Sequence, residues 1–212
     1  MVGILVSLLS PYILLILPIL WVTTYMYFYI KSRYDNPESV PVMIILGSGG
    51  HTAEMLSYVS VLTPKYQPRT YVIAATDSIS EQKVFNLEDK SDIKFSVKRI
   101  RRAREVKQSY VSSIFTTLMS FLSAFPIFVS CRPKLILCNG PGTCIPVCFV
   151  ALLLQMLRLH STLIIFVESI CRTKTLSLSG KILYHTHLVD VIVQWPELKT
   201  KYPKSIYLGL LS

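Results

Sequence analysis

The chain has 212 residues, of which 51% are hydrophobic, and its 22 Lys and Arg against 12 Asp and Glu give a formal charge of +10. This length is enough for one medium-sized domain and a membrane segment, and it excludes two full α/β domains. The positive charge attracts anionic surfaces, of which membrane lipid and diphosphate are the obvious candidates.

An apolar segment without any charged residue occupies residues 1–30. It is longer than the roughly 20 residues that a helix needs to cross the hydrocarbon core of a bilayer. A cleaved signal peptide would need a basic region before the apolar run, which this sequence lacks. Lys31 and Arg33 follow the segment, so the positive-inside rule places the rest of the chain in the cytoplasm. The sequence therefore predicts a transmembrane anchor over residues 1–30, a linker over 31–39 and a main domain over 40–212.

Within the main domain, short β-rich runs alternate with helical segments. Strands are predicted over residues 40–46, 71–75, 95–100, 135–138, 163–167, 189–194 and 206–208. Helices are predicted over residues 51–62, 78–87, 109–130, 144–157 and 176–184, with Ser78 or Ser80 as a cap and with a turn between Pro196 and Pro203. The alternation predicts an α/β fold, with right-handed βαβ units and a parallel sheet covered on both faces.

The segment 109–130 is long and apolar, but Ser and Thr side chains and Pro126 interrupt it. It is consistent with a buried helix or with a second membrane element. We favour a helix that packs on the sheet and partly faces the bilayer.

The first strand leads into a glycine-rich loop that opens a helix. Its loop residues are Gly47, Ser48, Gly49 and Gly50. In an open parallel sheet the ligand lies beyond the carboxyl ends of the strands, and a glycine loop before a helix N-terminus suits an anion, so this loop is predicted to bind diphosphate. His51 and Glu54 lie on one face of the helix, where the pair can hold the imidazole in one tautomer as a general base for a sugar hydroxyl. The alternative is that Ser48 caps the helix and that both side chains are merely solvated.

Two later strand ends also carry candidate site residues. The first end has Asn139, Gly140, Gly142 and Thr143, the second has Glu168 and Arg172, and all six are predicted to bind the acceptor or its diphosphate. Two glycine loops at two strand ends would frame one crevice, in which Glu168 accepts sugar hydroxyls and Arg172 binds a phosphate. The alternatives are a tight turn at the glycines and a surface ion pair between the two charged residues.

A dense basic run precedes segment 109–130. It consists of Lys98, Arg99, Arg101, Arg102, Arg104 and Lys107. Basic clusters near a bilayer contribute about 1 kcal/mol per charge against anionic lipid, so we expect this run to contact the membrane or a diphosphate. Nucleic acid is disfavoured because no aromatic residues are interleaved. His185 and His187 have no third ligand at suitable spacing, so no metal site is predicted.

The loop 47–54, the loop 139–143 and the segment 168–172, in this order after one anchor, resemble the N-terminal half of the GT-B glycosyltransferases. That group includes the bacterial murein transferase that adds N-acetylglucosamine to lipid I. The chain is similar above all to the family of membrane subunits of the eukaryotic transferase that extends dolichyl-diphosphate N-acetylglucosamine in asparagine-linked glycosylation.

This resemblance implies a Rossmann-like, acceptor-binding GT-B half that transfers a sugar from UDP-N-acetylglucosamine without a metal or other cofactor. It implies that His51 lies on the acceptor side and that a soluble, donor-binding catalytic subunit completes an enzyme that is inactive without it. It further implies an endoplasmic reticulum membrane protein with a luminal N-terminus and a cytoplasmic main domain. The residues implied to hold the partner are Tyr207, Leu208, Gly209, Leu210, Leu211 and Ser212.

Two alternatives from other classes remain at this point. The chain can be a non-catalytic membrane scaffold, with all chemistry in its partner. It can also be a membrane-bound nicotinamide-dependent oxidoreductase, supported by Gly47 and Gly49 after the first strand and Asp77 after the second, although the third glycine of that fingerprint is missing.

Overall fold

The structure is a computed structural model, which describes residues 39–89, 91–101, 103, 110–140 and 142–211 together with Leu20 and Thr23. The predicted anchor over residues 1–30 and the linker over 31–39 fall almost entirely outside these residues. In the part of the chain that is described, no helix combines the length and the apolar character needed to span a bilayer.

A seven-stranded parallel sheet forms the centre of the described chain, with the strand order β3-β2-β1-β4-β5-β6-β7. The strands are β1 Val42–Ile45, β2 Arg69–Ala74, β3 Phe95–Ile100, β4 Leu135–Asn139, β5 Leu163–Val167, β6 Asp190–Val193 and β7 Ile206–Tyr207. The predicted parallel α/β sheet is therefore confirmed. Because β1 pairs with both β2 and β4, the strand order changes direction at β1 and β4. A crevice forms outside the carboxyl ends of the strands at such a switch point.

The helices cover both faces of the sheet. They are α1 Gly50–Ser60, α2 Ser78–Glu88, α3 Tyr110–Cys131, α4 Cys144–Met156, α5 Leu178–Thr186 and α6 Pro196–Lys201. On one face Met55 and Val59 of α1 pack with Ile44. On the other face Val147 of α4 packs with Met43. The central strands are buried on both sides, which explains why they are continuous apolar runs rather than alternating ones.

Two local predictions need correction. The predicted turn between Pro196 and Pro203 contains the short helix α6, because a proline in the first helical turn has no N–H to leave unpaired. The cap of α2 is Asp77 rather than a serine, and its carboxylate accepts a hydrogen bond from the Ser80 N–H at 3.0 Å.

Helix α3 resolves the ambiguity of segment 109–130, because it packs against the sheet with Ala124 and Phe128 buried. Its polar side chains face the segment after β3, where Ser120 Oγ donates to the Arg101 carbonyl at 2.7 Å and Thr116 Oγ1 to the Ala103 carbonyl at 2.6 Å. The opposite face carries an exposed apolar stripe. It consists of Phe115, Leu118, Leu122, Phe125 and Val129.

A buried ion pair secures the other end of the sheet, where the strands begin. Arg69 Nη1 lies 2.9 Å from Glu88 Oε1, and both side chains are almost fully buried. Arg69 also donates to the carbonyls of Leu62 and Tyr66, so it holds the loop between α1 and β2. The Tyr71 hydroxyl donates to the same carboxylate oxygen, and burial together with Glu88 raises the pKa of Tyr71, which keeps it protonated as a donor. This cluster lies far from the carboxyl ends and is structural.

We predict that Glu88→Ala lowers the free energy of unfolding by about 3–5 kcal/mol, because it leaves a buried guanidinium without its charge partner. Glu81→Ala on the same helix is the matched control. Its partner Arg99 is 53% exposed, so this change is expected to alter stability by about 0–1 kcal/mol. Denaturant unfolding of the two variants measures both values, and equal losses would contradict the structural role of the buried pair.

Candidate functional site

The carboxyl ends of β1, β4 and β5 open onto a cleft of about 410 Å³. These strands are neighbours, since β4 pairs with β1 on one side and with β5 on the other. The lining residues are Gly50, His51, Glu54, Ser169, Cys171 and Arg172. The structure therefore brings the first glycine loop and the segment after β5 into one site, as the sequence predicts.

Asn139, the last residue of β4, connects the side chains of this cleft. It is completely buried. Its Oδ1 lies 2.8 Å from His51 Nδ1, and its Nδ2 donates to Glu54 Oε2 at 2.6 Å. The other oxygen of Glu54 accepts a hydrogen bond from Ser169 Oγ at 2.8 Å. The predicted pairing of His51 with Glu54 is thus indirect, because the Asn139 amide lies between them.

This arrangement determines the tautomer of His51. An ionised carboxylate only accepts hydrogen bonds, so the Asn139 NH2 group must face Glu54 and its carbonyl oxygen must face the imidazole. That oxygen also only accepts, which places the ring proton on His51 Nδ1. In the neutral ring, Nε2 then carries the lone pair. No described residue hydrogen-bonds this nitrogen, so it is available to take a proton from a bound ligand.

Gly140 forms the wall behind the imidazole. Its φ is +84°, and a Cβ atom at this position would lie 2.4 Å from His51 Nδ1. Only glycine combines this backbone conformation with such a close approach. The second glycine loop therefore contacts the helix that follows the first one, so the two predicted loops frame the same site. Thr143, also predicted here, is buried at the N-terminus of α4.

The hydroxyl groups of Thr52 and Ser80 hold the first glycine loop in place. The Gly47 carbonyl accepts from Thr52 Oγ1 at 2.6 Å, and Thr52 in turn lies 2.7 Å from Ser80 Oγ. Ser48 does not cap α1, so that alternative is wrong. The cap position is Gly49, with φ +66°, which has no side chain to accept a hydrogen bond from the first N–H groups of the helix. Since Gly50 lines the cleft, the uncapped N-terminus of α1 opens onto it, which suits an anion.

Glu168 lies behind the cleft and is 1% exposed. Its Oε2 accepts from the Ser177 N–H at 2.7 Å and from Ser177 Oγ at 3.0 Å, and its Oε1 accepts from the Ser169 N–H at 3.2 Å. Burial raises the pKa of Glu168, whereas these donors act in the opposite direction. Both Glu168 oxygens are therefore hydrogen-bonded inside the protein. The carboxylate does not line the cleft, whereas Arg172 does. The predicted surface ion pair is wrong, because Glu168 is not on the surface.

The described residues of the basic run do not line the cleft. Lys98 and Arg99 are exposed on the edge strand β3 and Arg101 follows it, while Arg102, Arg104 and Lys107 fall outside the described residues.

The described residues contain no cluster of His, Cys, Asp and Glu that could hold a metal ion. Asp77, which an oxidoreductase would need for a ribose hydroxyl, has its carboxylate engaged by the N–H and hydroxyl of Ser80.

The C-terminal segment is apolar and exposed. Ile206, Tyr207, Leu208, Leu210 and Leu211 are all at least one third exposed. It begins with β7, which is the edge strand of the described sheet. Ser212 lies outside the described residues.

Sequence reasoning missed three contributors to the site. Ser169 was part of a recognised segment but had no assigned role, and Tyr58 and Gln194 were not singled out. Gln194 Nε2 donates to the Glu168 carbonyl at 3.0 Å and to the Tyr58 hydroxyl at 3.2 Å. A hydrogen bond between residues so far apart in the chain has no local sequence signal.

We predict that Gly140→Ala lowers the free energy of unfolding by about 1–3 kcal/mol, because a side chain is strained at this φ and collides with the imidazole. Gly142→Ala is the matched control from the same loop. A Cβ there meets no atom within 4 Å, so its effect is expected to stay within about 0.5 kcal/mol. Thermal or denaturant unfolding distinguishes the two, and equal stability of both variants would contradict the close packing of Gly140 on His51.

This chain is similar in sequence to known proteins over most of its length. The family model described as oligosaccharide biosynthesis protein Alg14 like matches residues 42–211. The UDP-N-acetylglucosamine transferase subunit ALG14 of Mus musculus is 52% identical over 182 residues, which cover 81% of this chain and 83% of the mouse protein. The subunit of the same name from Yarrowia lipolytica is 42% identical over 188 residues, which cover 87% of this chain and 85% of the yeast protein.

A similar fold is found in a crystal structure of MurG from Acinetobacter baumannii. The match has a TM-score of 0.55 at 16% sequence identity and covers 79% of this chain and 43% of the MurG chain. The Rossmann-like sheet is therefore shared with MurG, and this chain spans less than half of the MurG length.

Proposed function

Because this chain belongs to the Alg14-like family of oligosaccharide biosynthesis proteins, we propose that it is the membrane-anchoring, acceptor-binding subunit of a two-subunit N-acetylglucosaminyltransferase. The complex transfers N-acetylglucosamine from UDP-N-acetylglucosamine to dolichyl-diphosphate N-acetylglucosamine, a step in the synthesis of the N-glycan precursor. The observation that carries this proposal is the cleft in which His51, with Nδ1 bound to Asn139, lies beside the uncapped N-terminus of α1.

The cleft has separate groups for the diphosphate and for the sugar of such an acceptor. The N-terminus of α1 and the exposed guanidinium of Arg172 supply N–H donors and positive charge for the diphosphate. The glycine residues Gly47, Gly49 and Gly50 allow the backbone to approach it closely. The acceptor sugar then lies over His51, with its attacking hydroxyl within reach of Nε2.

His51 is the general base of the proposed reaction. Nε2 takes the proton of the acceptor hydroxyl as this oxygen bonds to the anomeric carbon of the donor sugar, and UDP leaves with the electron pair of the broken bond. The imidazolium that forms is stabilised by the Asn139 carbonyl, and the Glu54 carboxylate holds that amide in position. Ser169 holds the other Glu54 oxygen. Asn139, Glu54 and Ser169 are positioning residues in this scheme.

A separate soluble subunit supplies the donor site. The relatives from Mus musculus and Yarrowia lipolytica are named as subunits of a UDP-N-acetylglucosamine transferase, which supports a partner that completes the enzyme. We infer that this catalytic partner docks on the exposed apolar segment 206–211 and binds UDP-N-acetylglucosamine across the cleft. Without the partner, the cleft holds the acceptor only and transfer does not occur.

The membrane lies against α3 in this proposal. The apolar stripe of α3 extends from Phe115 to Val129, and Phe149, Leu153 and Met156 add exposed apolar surface on the neighbouring helix α4. Lys98 and Arg101 are exposed on and just after β3, where such charges complement anionic headgroups, each by about 1 kcal/mol. Together with the predicted anchor over residues 1–30, this surface supports the proposal that the domain lies on the cytoplasmic face of the endoplasmic reticulum membrane, with the N-terminus luminal.

The direct test is transfer from UDP-N-acetylglucosamine to a polyprenyl-diphosphate N-acetylglucosamine by the chain reconstituted with its partner. We predict that His51→Ala lowers kcat by about 10²-fold or more, because it removes a positioned general base. Recovery of the partner on co-purification is expected to be unchanged. His185→Ala, at an exposed position on α5, is the control that retains full turnover. Unaltered turnover of His51→Ala in an intact complex would instead favour a non-catalytic scaffold.

A further inference from the structure

Gln194 occupies a central position between the C-terminal segment and the cleft. It follows β6 directly and is 1% exposed. Its Oε1 accepts a hydrogen bond from the Leu211 N–H at 2.9 Å. Its Nε2 donates to the Glu168 carbonyl at 3.0 Å and to the Tyr58 hydroxyl at 3.2 Å. One buried amide therefore joins the tail to two elements that carry site residues.

The first of these elements is the segment after β5. Gln194 holds it at the Glu168 carbonyl, and the neighbouring Trp195 holds it at the Ile170 carbonyl through Nε1 at 2.7 Å. Ser169 lies between these two fixed points. Since Ser169 Oγ donates to Glu54, the residues that follow β6 determine where this hydroxyl meets the carboxylate.

The second element is α1. Tyr58 lies four residues after Glu54 and seven after His51, so the three side chains share one face of the helix. The Tyr58 contact therefore helps to fix the helix from which His51 and Glu54 reach Asn139. Gln194 therefore contacts both the segment that carries Ser169 and the helix that carries His51 and Glu54.

The tail that binds Gln194 has the character of a docking surface. Leu208 and Leu210 are more than half exposed. In the described sheet, β7 pairs with β6 alone and leaves its other edge open. An exposed sheet edge with apolar side chains is suited to association with another protein.

We propose that Gln194 is a positioning residue that couples the two sites, so that docking of the partner on segment 206–211 and binding of the acceptor in the cleft strengthen each other. This inference rests on the proposed function, because it takes the tail as the partner site and the cleft as the acceptor site. A partner bound to the tail holds the Leu211 N–H on Gln194, and Gln194 in turn holds Ser169 and α1. By thermodynamic linkage, the acceptor must tighten partner binding by the same factor.

The test measures the dissociation constant of the purified donor-binding subunit for the full chain, with and without saturating short-chain polyprenyl-diphosphate N-acetylglucosamine. In the unmodified chain, the acceptor is expected to tighten partner binding by about fivefold or more. In Gln194→Leu, which keeps the size of the side chain and removes all three hydrogen bonds, this factor is expected to fall to about one. Tyr58→Phe removes a single hydroxyl and is expected to reduce the factor partly, which provides a second variant if Gln194→Leu does not fold.

Ser205→Ala is the matched control. Ser205 is buried beside the tail and its Oγ donates to the Tyr202 carbonyl at 2.7 Å, so the variant loses one local hydrogen bond but none of the Gln194 contacts. It should retain the full coupling factor. The kinetics give a second readout, because Gln194→Leu should raise KM for the acceptor in the complex, whereas a purely structural loss lowers the amount of active protein without changing KM.

Two kinds of result would overturn the inference. The first kind shows that the two sites are independent and leaves the proposed function intact. It is a coupling factor near one in the unmodified chain that still binds both ligands, or an unchanged factor in both Gln194→Leu and Tyr58→Phe. Failure of the unmodified chain to bind the acceptor, or retention of the partner after removal of residues 207–212, would instead refute the proposed sites and the coupling with them.

Discussion

The site depends on one buried amide. Asn139 has a carboxylate on one side and an imidazole on the other, and the carboxylate can only accept hydrogen bonds. This constraint orients the amide, and the oriented amide places the proton on His51 Nδ1. The chemical property that matters for the proposed catalysis, a lone pair on Nε2 in the cleft, therefore follows from a contact on the opposite side of the ring.

The fold explains why this contact forms. Asn139 ends β4, the helix that carries His51 and Glu54 follows β1, and β1 and β4 are paired neighbours in the sheet. The glycine at position 140 then allows the chain to turn against the imidazole, where a Cβ would collide with the ring. Buried strands with helices on both faces hold these elements rigidly. A rigid scaffold with an open helix N-terminus supports both tasks of the proposed subunit, which are binding a diphosphate and orienting a base.

Much of the fold could be predicted because its signals are local. Apolar runs ending at Gly47 and Asn139 mark the strands, and the strand ends locate the cleft. The details of the site depend on which strands are neighbours, which the sequence does not specify. Asn139 was predicted to contact the ligand, whereas it bridges His51 and Glu54 across 88 and 85 residues. Glu168 was predicted to face the sugar, but Ser177 engages its carboxylate inside the protein. Pro196 and Pro203 predict a turn, but the chain from Pro196 forms α6, because a proline is tolerated in the first turn of a helix.

The central claim is that Asn139 fixes His51 with the proton on Nδ1. Nitrogen-15 NMR of the full chain with labelled histidine tests it most directly, with His51→Gln used to assign the signals. At a pH where the ring is neutral, the account predicts a protonated Nδ1 and an unprotonated Nε2 for His51, and loss of this preference in Asn139→Ala. A neutral His51 with its proton on Nε2 in the unmodified chain would contradict the account.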